Sequence, residues 1–320
     1  MTAGSTPATI DPGLVGDARF DRSKTEGHGA ADQVRSFRTA VGLGWKMEAN
    51  WTDPVLFFIY SVAKPLASAL ILVFMIQVIA GPSGQVLRGF VIVGSALWSL
   101  VLSGIAGLAW AVLDDRERYR MLKYVYVSPS SFEVVLLGRG IARLAVGTMG
   151  AVITLAVGVI FLGVSFSLGA VDWPLLVITS GLGLIAILAL GVMMAAICIQ
   201  TRQDSWTYPE AVAGALFLVV GAVFPLSALP NALQVVGLLN PLTWWIAGVR
   251  QALFEGGPSS IGGPDSVWYQ VSGELNPNDA QIVIALLATG AVVTLAAAIL
   301  FRASEHRAKD RGTIDRTTGS

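Results

Sequence analysis

The residues best suited to chemistry lie in one short stretch, Leu113 to Arg139, which reads LDDRERYRMLKYVYVSPSSFEVVLLGR. A dense charge cluster, Asp114 to Arg120, is followed by an apolar turn, Met121 to Val127. Ser128-Pro129 with Ser130 and Ser131 can then stop one helix and cap the next. A solvated loop would look much like this. A short helix that lies along a membrane surface and docks into a cytosolic partner fits better, because Met121, Leu122 and Tyr124 stand apolar on a charged background. There Arg116, Glu117 and Arg118 would hold the docking helix through charge-assisted contacts, which are stronger than neutral ones.

Other chemistries find little support. Cys198 is the sole cysteine and sits in an apolar run, so it reads as a small packing residue and no internal disulfide can form. His28 and His306 lie far apart in polar terminal segments, so no metal site of the Cys/His type is expected. The sequence contains no G-x-x-x-x-G-K-[ST] phosphate loop and is not expected to bind ATP by itself. No catalytic residue is assigned. An intramembrane enzyme, such as a lipid-modifying transferase, would need a constellation such as paired Asp/His or Ser/Lys within the bilayer. The apolar stretches offer Lys64 alone.

The elements that must carry the charged stretch are apolar. Hydrophobic residues make up 54% of the 320 positions and charged residues 13%. A soluble domain carries charge on roughly a quarter of its residues, so this chain has too little polar surface to cover a water-soluble body. A formal net charge of zero gives no sign of nucleic-acid binding. Crossing the hydrocarbon takes about 20 apolar residues. Such stretches run from Val55 to Ala80, Phe90 to Leu113, Gly140 to Val164, Pro174 to Ile199, Ala211 to Leu226 and Ala280 to Phe301. None alternates with the period of a barrel strand. The expected fold is an all-α integral membrane protein with about six transmembrane helices.

Charge sidedness sets the topology. Arg19, Arg22, Lys24, Arg35, Arg38 and Lys46 precede the first span, and Arg116, Arg118, Arg120, Lys123 and Arg139 lie between the second and third. Arg202 lies between the fourth and fifth, and Arg302, Arg307, Lys309, Arg311 and Arg316 follow the last. Six spans put all of these on the cytoplasmic side and leave Arg88 and Arg250 outside. A seventh span over Ala232 to Phe254 would break that pattern. This stretch, interrupted at Asn240-Pro241, therefore reads as re-entrant outer helices between spans five and six, with Trp244 and Trp245 at the interface.

The domain reading follows: a disordered cytosolic tail (1–32), an amphipathic interface helix (33–53), a six-helix domain (54–302) and a cytosolic tail (303–320). Within the domain lie a charged inner loop (114–139) and a solvated outer loop (256–279), the latter with a small ordered element near Val267 to Val271. The expected location is the plasma (inner) membrane, multi-pass, with both termini cytoplasmic. Ser95, Ser99, Ser103 and Gly107 form a small-residue stripe open to two readings, close helix packing or the wall of a pathway. Lys64 is likewise either a snorkelling cation or part of a pathway.

Arg116-Glu117-Arg118, Met121-Leu122, Ser128-Pro129 and Gly138-Arg139 resemble, in order and spacing, the coupling region of type-2 ABC exporter permeases. So does a second run, Phe224-Pro225-Leu226-Ser227-Ala228-Leu229-Pro230, then Leu239-Asn240-Pro241-Leu242-Thr243 and Gly248-Val249-Arg250. The resemblance covers residues 33–307; Tyr119-Arg120 stands where the family has Gly-Thr. It implies a permease that pairs with a second copy or a paralogue and is driven by two nucleotide-binding ATPase subunits, which carry ATP and Mg while this chain carries no cofactor. It also implies export of hydrophobic or amphipathic compounds such as drugs or lipids, through a path at the dimer axis lined by the second and fifth spans. Phe90, Trp98, Phe217 and Phe224 are its candidate lining residues, with plain packing as the other reading. Export of polysaccharide or a lipid-linked glycan is the alternative within the class.

Overall fold

The computed structural model describes residues 30–49, 53–80, 85–120, 122–127, 131–162, 169–201, 207–254 and 259–310. Met121, Ser128, Pro129, Ser130 and Arg202 lie outside the described residues, as do most of the N-terminal tail and the last ten positions.

Every regular element among the described residues is helical. The order is α1 (Ala30–Ala49), α2 (Pro54–Ala80), α3 (Gln85–Leu113), a π-helical turn (Asp114–Arg118), α4 (Leu122–Val127), α5 (Phe132–Leu162), α6 (Trp173–Gln200) and α7 (Tyr208–Val219). A 3-10 turn (Leu226–Ala228), α8 (Asn231–Leu238), α9 (Pro241–Leu253), α10 (Val267–Ser272) and α11 (Asp279–Asp310) complete it. Local chemistry sets the boundaries. Asp172 starts α6 by accepting from the Leu175 amide at 3.0 Å, and Asn240 starts α9 by accepting from Leu242 at 2.9 Å, each with proline in the first turn.

Among the described residues four helices, α3, α5, α6 and α11, are long and apolar enough to cross a membrane, and the α8–α9 pair would add a fifth if counted as one span. The chain is thus an all-α, multi-pass membrane protein. α3 is its axis, packed against α2, α5, α6, α7 and α9 and buried along most of its length. Small residues let the helices close on it. A Cβ on Gly191 of α6 would lie 2.6 Å from the Gly104 carbonyl oxygen of α3, and one on Gly147 of α5 would lie 2.7 Å from Ser103 Cβ. Ser103 and Gly107 of the sequence stripe both face α5, which is the packing reading at those two positions.

The structure corrects four expectations. The fifth apolar stretch, Ala211 to Leu226, is not helical throughout: α7 has 12 residues and ends at Val219. At 1.5 Å per residue it reaches about 18 Å, short of the roughly 30 Å of hydrocarbon. Gly221, at φ +71°, turns the chain out of the helix. Trp244 and Trp245 do not lie at an interface but inside the chain, 4% and 1% exposed. Trp244 meets Trp268 edge-on at 5.5 Å and donates to the Leu238 carbonyl, while Trp245 lies directly against Gly183. The segment from 303 is not simply a tail, because α11 runs on to Asp310 with Ser304 and Ala308 buried. The amphipathic helix is α1, Ala30–Ala49, and it is docked on α5: a Cβ on Gly138 would lie 2.6 Å from Ala40 Cβ. Val34 and Trp45 remain exposed on it.

Asn240-Pro241 does break the helix, with α8 and α9 bent by 81°. The outer segment contains α10 where an ordered element is expected, and buried Gln234 of α8 ties it down. Gln234 accepts from the Val267 amide at 2.7 Å and donates to the Leu229 carbonyl at 2.8 Å.

Two glycines of α6 should behave oppositely. Gly191→Ala pushes a methyl into a backbone carbonyl and should destabilise the protein by about 1–3 kcal/mol. Gly181→Ala points into open space and should be neutral or slightly stabilising. Thermal unfolding in detergent micelles would compare the two.

Candidate functional site

At its C-terminal end α3 loosens into a π-helical turn that ends at Arg118, and Arg120 just beyond it has a φ of 49° that no continuing helix allows. The six charged residues of that turn and its exit divide by depth. Asp115 and Arg116 are buried, Asp114 and Glu117 are half-buried, and Arg118 and Arg120 are exposed.

Arg116 reaches across to α6. Its Nη1 donates to the carbonyls of Cys198 (3.1 Å), Ile199 (3.4 Å) and Thr201 (3.0 Å), and its Nη2 pairs with Glu117 at 2.8 Å. The last carbonyls of a helix have no intrahelical partner, so Arg116 caps α6 and fastens the charged turn to it. Beside it Arg139 of α5 forms a buried ion pair with Asp115 and donates to the Ala111 carbonyl of α3 at 3.2 Å. One turn along α5, Arg143 bridges Glu48 of α1 (2.6 Å) and Asp114 (3.7 Å). Burial pushes the Glu48 carboxyl above its ordinary value, and Arg143 and Arg139 pull it back. Charge pairs thus tie α1 and α5 to the turn that ends α3, and the Arg116 guanidinium adds α6 through its terminal carbonyls.

The residues expected to couple to a partner separate on this frame. Arg118 and Tyr119 are exposed, with the guanidinium 5.7 Å from the ring centre. Tyr124 is 67% exposed. Leu122 points the other way, 2% exposed and packed into the chain's own apolar cluster, so it is not an outward knob. Arg116 likewise acts inward. Glu48, Asp114, Asp115 and Arg143 go unremarked as site residues in the sequence, although two arginines four apart facing an Asp-Asp pair at a span's end are a readable signal.

The expected path residues also separate. Trp98 of α3 and Phe217 of α7 are half-buried and meet with ring centres 4.7 Å apart. Phe224 is half-buried in the turn after α7. Phe90 is 3% exposed and belongs to another arrangement. Lys64 lies on α2, with its side chain outside the described part. Arg250 of α9, expected in an outer loop, is 5% exposed and lies over the Phe90 ring at 3.5 Å. It donates to the carbonyls of Gly221 (2.7 Å), Phe90 (2.8 Å) and Ala222. It thereby fastens the turn after α7 to the N-terminal end of α3.

The fold is thus an apolar helical bundle with a charged turn tied into it at one end of α3 and a bent helix pair near the other. The family model of the ABC-2 type transporter matches residues 43–254, more than half of the chain. The chain belongs to the ABC-2 type transporter family. No individual curated protein matches the sequence. As an ABC-2 chain it is a permease subunit, of a family whose members normally work with an ABC ATPase subunit. The matched segment of this permease includes the charged turn, α4, the α8–α9 pair and Arg250, and it ends before α10 and α11.

The buried Asp115–Arg139 pair can be tested by a double-mutant cycle. Asp115→Leu strands a buried guanidinium and should cost about 3–5 kcal/mol. Adding Arg139→Met should restore most of that loss in thermal unfolding, because an apolar pair replaces both charges.

Proposed function

We propose that this ABC-2 permease exports hydrophobic or amphipathic compounds, such as drugs or lipids, across the plasma membrane. It works as a dimer with a second copy or a paralogue. Two ATPase subunits that bind ATP and Mg dock at its inner loop. The observation that carries this reading is the charged turn itself: Arg116 and Arg139 lock it to α3, α5 and α6, while Tyr124, Arg118 and Tyr119 face outward beside it. A push on an exposed residue there reaches all three helices.

The path runs beside α3 and α7, with Trp98 and Phe217 as its aromatic wall. An apolar wall with few charges suits amphipathic substrates rather than ions. α2 and α7 complete six crossings, the short α7 being extended by its turn and the re-entrant α8–α9 pair. Both termini then face the cytoplasm, as the basic residues require.

In proteoliposomes holding the permease with its ATPase, a fluorescently labelled short-chain phospholipid and a lipophilic cationic dye serve as probes. ATP should drive at least one of them across. Tyr124→Ala should leave the permease folded but reduce ATP-driven transport by roughly three- to thirty-fold. No ATP-driven movement of either probe, with movement of a lipid-linked glycan instead, would reject the substrate class. A Tyr124→Ala complex that transports like wild type would reject the docking role.

Topology has its own check. In intact cells, a cysteine at Glu274 should react with a membrane-impermeant maleimide and one at Asp310 should be protected. Labelling of Asp310→Cys would overturn the six-crossing arrangement.

A further inference from the structure

α4 spans six residues, Leu122–Val127, far fewer than the roughly 12–15 an isolated helix needs to hold itself together. What it packs on must therefore fix its position. Leu122 and Tyr124 are two residues apart on a helix and so face nearly opposite sides. Tyr124 points out and Leu122 points in, 67% and 2% exposed. Leu122, with the partly buried Val125 against the same apolar cluster, is what seats α4 on the rest of the chain.

Those surroundings include the last helix. Leu122 shares one buried apolar cluster with Val112 of α3, Phe132 and Leu136 of α5, Ile199 of α6, and Phe301 and Ala308 of α11. The inner end of α11 is itself anchored. Phe301 stacks on Phe132 at 5.7 Å, Ser304 accepts from the Gln200 side chain at the end of α6, and Arg302 faces Glu133 at 3.7 Å. That ion pair is exposed and contributes little, whereas the stacked rings and Ser304 are buried. The family match stops at residue 254, so α11 supports a coupling turn from outside the matched segment.

We propose that the inner end of α11, Phe301 to Ala308, is a positioning element for coupling: it completes the socket of Leu122 and carries the ATPase's motion into the last transmembrane helix. The inference rests on the docking role of the inner loop. It adds a fourth output to that role, besides α3, α5 and α6.

Amide hydrogen exchange on the assembled permease–ATPase complex, with and without Mg-ATP, tests it. In the wild type, nucleotide should alter exchange in residues 122–127 and 301–308 together. Phe301→Ala should raise nucleotide-free exchange in 122–127 by roughly three- to thirty-fold and abolish the nucleotide response of 301–308. Phe301→Leu, which refills most of the space, should restore both. Ser304→Ala, a milder loss of the Gln200 bond, carries the same comparison should Phe301→Ala fail to assemble. A role confined to holding α11 would loosen 301–308 and leave 122–127 untouched, and that result overturns the proposal. So does a wild-type complex in which 122–127 responds to nucleotide and 301–308 does not. Failure of the docking role itself reads differently: 122–127 is then silent to nucleotide, and Tyr124→Ala leaves ATP turnover and ATPase binding unchanged.

Discussion

A helix that ends inside or beside a bilayer leaves carbonyls with no partner, and no water is at hand to take them. Arg116 meets that constraint at the end of α6, and two further arginines donate to carbonyls near helix ends. Arg139 donates to Ala111 near the end of α3, Arg116 to Cys198, Ile199 and Thr201 at the end of α6, and Arg250 to Gly221 and Ala222 past the end of α7. Each reaches from a different element of the chain, so each cap is also a tie between elements. The negative end of the helix dipole favours a cation there as well. The charged residues that a membrane protein tolerates poorly are concentrated where the backbone needs donors.

These ties give α3 its mechanical character. Its C-terminal end is bound to α5 through Asp115 and Arg139, and its N-terminal end to α9 and the turn after α7 through Arg250 at the Phe90 carbonyl. At Gly94 the outer turn comes so close that a Cβ would lie 1.7 Å from the Ala222 oxygen. Between the two ends runs an unbroken helix of 29 residues. A buried arginine from another helix thus holds each end of α3, Arg139 at one and Arg250 at the other.

The sequence makes much of this legible, and unevenly. The apolar runs place α2, α3, α5, α6 and α11, because length and composition alone decide them, and Asn240-Pro241 marks the α8–α9 break, because proline there has one structural meaning. Side-chain direction is harder. Leu122 and Tyr124 carry the same apolar signal on a charged background, and only the packing of α3, α5, α6 and α11 around α4 separates the inward one from the outward one. Trp244 and Trp245 look interfacial by residue type; Gly183, far away in sequence, turns out to provide the slot for Trp245. Arg250 reads as an outer-loop charge because its partners are carbonyls, which any sequence supplies. The end of α7 could have been drawn from Gly221 and Pro225, two breakers within an apolar run that hydropathy alone counts as a span.

Arg250 also shows why a charge can persist in apolar surroundings without a countercharge. Among the described residues no carboxylate faces it; its environment is three carbonyls and the face of the Phe90 ring. A compact ammonium would suit this place poorly, since it is strongly hydrated and presents its donors around a point. A guanidinium is planar and weakly hydrated. Its edge can serve several carbonyls while its face lies on an aromatic ring. The backbone exposed by the early end of α7 calls for several donors in a fixed plane, and the ring of Phe90 sets that plane. The short helix, the glycine turn, the aromatic floor and the buried arginine are thus one solution to one problem: ending a helix inside an apolar bundle.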